Sequence, residues 1–193
     1  MDYTHIKPEI LNYLEKNLSC QRVKHCINVS KFSAALAKKH NGDVQKAQIA
    51  GLIHDCAKNK SAKEQIALCS NKKKIKYFDL IAKNAPDLLH SYNSALIAEE
   101  IFNIKDKDIL KAAANHTLGD ENMSLLEKII YIADAVSFER KCAHAAKMRK
   151  LAMIDFEAAF IEIMKNKIEY VLNTYKWICP KCIDVWNFYV QKK

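Results

Sequence analysis

Six residues of this chain could do chemistry together: His25, His54, Asp55, His90, His116 and Asp134. They run in the order His, His-Asp, His, His, Asp, at separations of 29, 1, 35, 26 and 18 positions. Imidazole nitrogens and carboxylate oxygens suit hard or borderline metal ions. Six are more than one small divalent ion needs and fit two ions that share a carboxylate. Two such ions a few ångströms apart are the usual apparatus for displacing phosphate esters and anhydrides with an activated water. Each residue alone has a plainer explanation. A single helical histidine is ordinarily a hydrogen-bonded interior or surface group, and His5, His40 and His144 are read that way. A His-Asp dipeptide often arises by chance. Asp134, at the end of Ile129-Ile-Tyr-Ile-Ala-Asp134, is costly there unless paired or metal-bound, although a buried hydrogen-bonded acid would also satisfy it. The ordered set of six carries the argument.

The elements that must position these side chains read as helices. Ile6, Ile10, Leu11, Leu14 and Leu18 space as an amphipathic first helix, with Pro8 in its first turn. A second runs from Gln21 to Lys39 and places Arg22 one turn before His25; Asn41-Gly42 stops it. Asp43 caps a third from Val44 to about Ala57, carrying His54 and Asp55. Adjacent helical residues point about 100° apart, so both grip one ion only if it sits off the helix end, and the two oxygens of Asp55 can join two ions. Ser61-Ala-Lys-Glu64 and Ser124-Leu-Leu-Glu127 are capping boxes. A weak helical signal covers 72–84, Pro86 punctuates, a longer helix runs from Asp87 to Asn103, and Asp106 caps one ending near His116. Asp155 opens a long helix to about Asn173, and 180–190 form a last short one. The expected fold is an all-α globule without a linker or internal repeat.

Composition sets the frame. A chain of 193 residues, half hydrophobic, builds one domain. Three glycines and three prolines argue against sandwiches, barrels and Rossmann-type folds. No Gly-rich phosphate loop is present. The net charge of +9 invites a nucleic-acid reading. Of the 31 basic residues, however, only Arg22, Arg140 and Arg149 are arginines, and a run such as Lys72-Lys73-Lys74 reads as a solvated face. Seven scattered cysteines form no disulfide framework. Cys179-Pro-Lys-Cys182 is half a zinc or redox site and reads better as two ordinary cysteines opening the last helix. Asp2 and Thr4 break any apolar leader at Met1–Ile6, and no stretch approaches a membrane span. The expectation is a soluble, reduced, cytoplasmic protein.

The order His…His-Asp…Asp resembles the HD-domain metal-dependent phosphohydrolases. Longer strings are similar to their YqeK-type branch of bacterial symmetrical dinucleoside tetraphosphatases: Arg22-Val-Lys-His25, Ala50-Gly-Leu-Ile-His-Asp-Cys-Ala-Lys58, Leu88-Leu-His90, His116-Thr-Leu-Gly119, Met123-Ser124, Ile129-Ile-Tyr-Ile-Ala-Asp134, Arg140 and Met148-Arg-Lys-Leu-Ala152. The resemblance covers residues 5–175. It implies an HD-domain helical bundle over residues 1–175; the remaining 176–193 are expected to form a helical tail packed on the same domain. It implies two divalent metal ions, iron with manganese or cobalt as substitutes. His25, His54, Asp55 and Asp134 would hold the first, and His90 and His116 the second, with Asp55 bridging and also catalytic. An activated water would split diadenosine tetraphosphate into two nucleoside diphosphates.

Lys58 would stabilise phosphoryl charge or the leaving phosphate. Arg22, Lys58, Thr117 and Arg140 would contact substrate; Arg22 and Arg140 clamp either phosphates or the acids that shape the site, and Arg149 makes a structural ion pair. The implied partner is a dinucleoside polyphosphate or another nucleotide, with no membrane and no nucleic acid; a homodimer stays open. Two other readings stay open too: an HD phosphohydrolase of mononucleotides, deoxynucleotides or cyclic nucleotides, and a non-catalytic nucleotide-binding or RNA-associated module. The chain departs from the branch in three places, one of them the Cys179–Cys182 tail, which lies outside the branch's pattern. Val136-Ser137-Phe138 stands where an Ile-Glu-Pro-like run is expected, so an acid that would orient part of the site is expected to be missing. Ser91-Tyr92-Asn93 follows His90 in place of smaller residues, so the mouth of the site is expected to differ.

Overall fold

The computed structural model describes residues 5–70, 75–140 and 142–191. Among them are eleven α-helices, one 3-10 turn and no strand. The order is α1 (Lys7–Asn17), α2 (Cys20–Lys39), α3 (Val44–Ile53), α4 (Ala62–Cys69), α5 (Phe78–Asn84), the 3-10 turn Pro86–Leu89, α6 (His90–Glu100), α7 (Lys107–Asn115), α8 (Leu125–Val136), α9 (Ala143–Ile154), α10 (Phe156–Asn173) and α11 (Pro180–Val190). The lysine run 72–74, the start of the 72–84 signal and the Met1–Thr4 part of the leader argument lie outside the described residues. No helix of the described residues is long and apolar enough to cross a membrane.

Local chemistry sets most boundaries. Ser19, Asp43, Ser61, Asp106, Ser124 and Asp155 each accept a backbone N–H in the first turn of the helix they open, and Ser61 and Ser124 form complete capping boxes with Glu64 and Glu127. Each cap is worth about 1 kcal/mol. At the end of α2 the left-handed residue is Asn41 (φ 57°) rather than Gly42, whose N–H reaches back to Ala37 O at 2.8 Å. Two helices are shorter than the sequence led us to expect. The third stops at Ile53, leaving His54 as its C-cap and Asp55 in the turn beyond. The Asp87–Asn103 segment divides into the 3-10 turn, where Pro86 takes the first position, and α6. Helix α9, whose N-cap Cys142 makes no side-chain cap bond, has no counterpart among the sequence expectations.

The core gathers around α8, whose Ile129, Ile130, Tyr131, Ile132, Ala133 and Val136 are all buried. Helices α2, α3, α7, α9 and α10 pack against it. The closest crossing is α2 on α3. A Cβ at Gly51 would stand 2.6 Å from Ser30 Cα and 2.8 Å from Ser30 N, so only glycine lets these backbones meet. Ser30 Oγ donates to Gln48 O across the same contact (2.8 Å). That crossing brings His25, one turn before Val29, beside His54, three residues after Gly51. A smaller cluster of Cys69, Ile75, Ile81, Leu89, Leu96, Leu118 and Cys179 supports the far side of the 3-10 turn. Helix α11 is tied down by Tyr189 Oη, which accepts from Met123 N (2.8 Å), and by Asp184, which takes Tyr77 Oη (2.9 Å) and Lys76 Nζ (2.7 Å).

Candidate metal centre

Three of the four site histidines stand at the C-terminal ends of helical turns: His54 after α3, His90 after the 3-10 turn and His116 after α7. Each ring takes the carbonyl three residues back, which for His90 also accepts its own backbone N–H. His54 Nδ1 bonds Gly51 O at 2.8 Å, His90 Nδ1 bonds Asp87 O at 2.5 Å, and His116 Nδ1 bonds Ala113 O at 2.8 Å. A carbonyl oxygen only accepts, so the proton lies on Nδ1 and the Nε2 lone pair is left for the site. The negative dipole ends of α3 and α7 meet at the same place, which favours a cation. His25 is in the body of α2, and its Nδ1 meets the Glu139 carboxylate.

The Nε2 atoms pair up, His25 with His54 at 3.2 Å and His90 with His116 at 3.2 Å. Asp55 lies between the pairs. Its Oδ1 is 3.1 Å from His90 Nε2 and 3.5 Å from His116 Nε2. Its Oδ2 is 3.8 Å from His25 Nε2 and 3.7 Å from His54 Nε2. Asp134 adds Oδ1 on the first side, 3.2 Å from His25 Nε2 and 3.8 Å from His54 Nε2. Two buried groups result, His25/His54/Asp55 and Asp55/His90/His116, the ligand atoms of each lying within 4.8 Å of one another. Among the described residues these are the groups that could hold a metal, so Cys179 and Cys182 belong to none. Neutral imidazoles and carboxylates, dehydrated and convergent, fit divalent transition-metal ions, and the chain has a divalent-metal site here.

The electrostatics suit that occupant. Burial pushes His54 down to about 3 and, helped by Lys58 and His116, lowers His90, which keeps both rings neutral. Burial would also lower His25, but Asp134, Glu139 and Asp55 outweigh it and raise the ring, the mark of a pocket short of positive charge. Burial opposes ionisation of both aspartates. His54, His116 and His90 nevertheless hold Asp55 well below the usual carboxylate range, and His25 and Lys167 do the same for Asp134.

Around this centre stand the residues expected to meet substrate. Lys58 Nζ is 3.1 Å from His90 Nε2 and 3.3 Å from Nδ1. Thr117 Oγ1 is 3.2 Å from His90 Nε2 and 3.0 Å from His116 Nε2. Arg22 spends Nη1 on Asp55 Oδ2 (2.8 Å), so it reaches an acid that shapes the site. Arg140 is exposed and donates from Nε to Asp134 O (3.2 Å). Arg149 is structural through carbonyls instead of the expected ion pair: its Nη1 bonds Val136 O, Ser137 O and Arg140 O at 2.7, 3.1 and 3.2 Å.

Two of the sequence expectations are revised here. The acid expected to be missing after Asp134 is present as Glu139, two residues beyond Ser137, because the chain turns at Ser137 and brings Glu139 back against His25. Ser91, Tyr92 and Asn93 turn into packing: Asn93 is buried on Gln65 of α4, and Tyr92 Oη meets Lys181 Nζ of α11 at 3.2 Å. The sequence reading also missed Lys167, one of many lysines and 33 positions past Asp134. Its Nζ bonds His116 O (2.9 Å), lies 3.7 Å from the Tyr131 ring centre and 3.7 Å from Asp134 Oδ2. The amphipathic spacing of α10 placed that helix on the core but could not single out this residue.

The HD domain family matches residues 22–139, a span that holds all six ligand candidates. A symmetrical bis(5'-nucleosyl)-tetraphosphatase of Halalkalibacterium halodurans is 33% identical over 92% of this chain and 93% of its own length. The Bacillus subtilis protein of the same description is 29% identical over 95% of this chain and 97% of its own. A Clostridium acetobutylicum crystal structure, described as a predicted HD superfamily hydrolase involved in NAD metabolism, is 34% identical. It superposes with a TM-score of 0.89 over 96% of this chain and 97% of that one.

Proposed function

The chain belongs to the HD-domain family, and from that premise we propose that it is a metal-dependent phosphohydrolase that splits diadenosine tetraphosphate and related dinucleoside polyphosphates symmetrically, into two nucleoside diphosphates. The observation that carries the reading is Asp55. Its two oxygens face two separate histidine pairs, the disposition a carboxylate needs to serve two ions. His25, His54, Asp55 and Asp134 hold the first ion, and His90, His116 and Asp55 the second. Iron is the proposed metal, with manganese or cobalt as substitutes, and such ions supply a water of near-neutral pKa and positive charge against phosphoryl oxygens.

The chain's own groups do the rest. Nδ1 hydrogen bonds hold the rings in register before substrate arrives. Arg22 orients Asp55 through the bond to Oδ2. Lys58, beside His90, and the Thr117 hydroxyl take non-bridging phosphate oxygens as charge grows on them, and Arg140 holds the outer phosphates at the rim. Seven free cysteines suit a reducing cytoplasm, and we treat the described tail, 176–191, as packed on the same domain. The test is product identification after anaerobic reloading of chelated protein with Fe²⁺, Mn²⁺ or Co²⁺. Two ADP from diadenosine tetraphosphate is expected; ATP plus AMP, or no turnover with any of the three, overturns the reading.

A further inference from the structure

We propose that Glu139 is a positioning residue: its carboxylate fixes the Nδ1–H tautomer of His25, aims Nε2 inward and sets how tightly the first ion is held. This rests on the metal-binding reading above. His54, His90 and His116 each sit where a helical turn ends, and each ring bonds the carbonyl three residues back. His25 cannot. It is the sixth residue of a 20-residue helix, where the carbonyls of the preceding turn are already taken by the ladder. A ring in that position needs an acceptor from elsewhere in the chain, and Glu139 supplies it across 114 positions.

The acceptor is itself fixed at both oxygens. Ser137 Oγ donates to Oε1 at 2.6 Å, and Asn28 Nδ2, one turn after His25 on α2, donates to Oε2 at 3.0 Å. The turn that carries it is pinned by Arg140 N on Ser137 O (3.0 Å) and by Arg149 Nη1 on the carbonyls of Val136 and Ser137. An ionised carboxylate accepts and cannot donate, so it leaves His25 only the Nδ1–H form. Its charge also strengthens Nε2 as a donor, as an acid behind a ligating imidazole does in general.

The test uses full-length protein, stripped and titrated with Co²⁺ alone, reading the visible bands of the bound ion and competition with a chelator. Glu139→Ala should weaken the tighter Co²⁺ site about tenfold to a hundredfold. Glu139→Gln, which keeps an acceptor but loses the charge, should weaken it less. The weaker site and the melting temperature of the stripped protein should stay at wild-type values, and excess Co²⁺ should restore turnover. Wild-type Co²⁺ affinity in both variants overturns the proposal, as does equal weakening of both sites or a loss that excess Co²⁺ does not restore. If Glu139→Ala fails to fold, Glu139→Gln decides alone. Failure of the metal reading itself would appear separately, as no Co²⁺ bound by the unmodified protein.

Discussion

The two halves of the metal centre are built from the same imidazole pair and share one carboxylate, yet they differ in acid content and in where their cations sit. On the first half Arg22 is 2.8 Å from Asp55 Oδ2 and Lys167 is 3.7 Å from Asp134 Oδ2, whereas on the second Lys58 stands against a ligand ring. The first half, His25 and His54, adds the whole of Asp134 and has Glu139 behind it. The second, His90 and His116, has half of Asp55, the Thr117 hydroxyl and the Lys58 ammonium within 3.3 Å of a ring nitrogen. Coulomb energy at these separations is several kcal/mol even with an effective dielectric near 20, so the difference decides affinity. The acid-rich half should retain its ion. The half with fewer acids and with Lys58 against its ring should hold one loosely until a phosphate brings further negative ligands. The general point is that ligand identity leaves affinity open, and the groups one bond further out set it.

Removing the carboxylate that the halves share should do the most damage. Asp55→Ala should abolish turnover and bring metal content below that of either single-half variant, because each half loses an oxygen. It also leaves Arg22 without its partner. Asp55→Asn should keep some metal and still lose activity. Near-normal hydrolysis by either variant contradicts the two-ion centre.

Next in size are variants that separate the halves. His116→Ala should strip the weaker site and spare the tighter one; His25→Ala should do the reverse and also loosen the α2–α3 crossing. Each should exceed the tenfold to hundredfold loss typical of an outer partner. Metal analysis by titration checks this. Equal weakening of both sites by both variants would show that the asymmetry is absent.

Much of this was legible in the sequence. Asp134 announced itself because a charge after Ile129-Ile-Tyr-Ile-Ala is expensive without a purpose, and Ser124 and Asp106 marked their helices because capping is local chemistry. What escaped depends on long-range geometry. Glu139 is one of 22 acids, and nothing nearby in sequence says that it will fold back onto His25. Lys167 reaches the site from a helix whose amphipathic pattern places it only on the core. The stop of α3 at Ile53, ahead of the expected Ala57, goes with His54 turning its ring onto Gly51 O, a bond that helical spacing does not reveal.

Acidity probes the halves differently. In the unfolded chain histidine titrates near 6.5, whereas His54 is pushed down to about 3 and His90 is lowered in the fold, both chiefly by burial. Below about 6.5 the unfolded chain therefore binds more protons, and stripped protein loses stability as pH falls, by up to about 1.4 kcal/mol per pH unit for each such ring. His25, raised by its acids, acts in the other direction: its contribution is complete below about 6.5 and fades as pH rises through its folded value. Asp55 and Asp134, both held low, add stability that is lost only when pH falls through their folded values, below the usual carboxylate range. The melting temperature of stripped protein should fall steadily from about pH 6.5 to 5; a flat profile there would mean that His54 and His90 are not buried neutral.

The smallest expected effect concerns the rim. A composition with 31 basic residues keeps arginine at only three positions, and one of them, Arg140, lies beside the acid-rich half with Nε on Asp134 O. Lysine can supply that charge but not a planar fork able to hold a carbonyl on one edge and a phosphate on another. A charged hydrogen bond contributes about 1.5–3 kcal/mol, less where water competes. Because Arg140 is exposed, Arg140→Lys should lower kcat/KM by only about tenfold. Metal content and melting temperature should be unchanged, since the ligands and the carbonyls bonded by Arg149 are untouched. Kinetics beside metal analysis separate the possibilities. A fall in the first ion's occupancy would make Arg140 part of the tight half, whereas unchanged kcat/KM would remove it from the phosphate path.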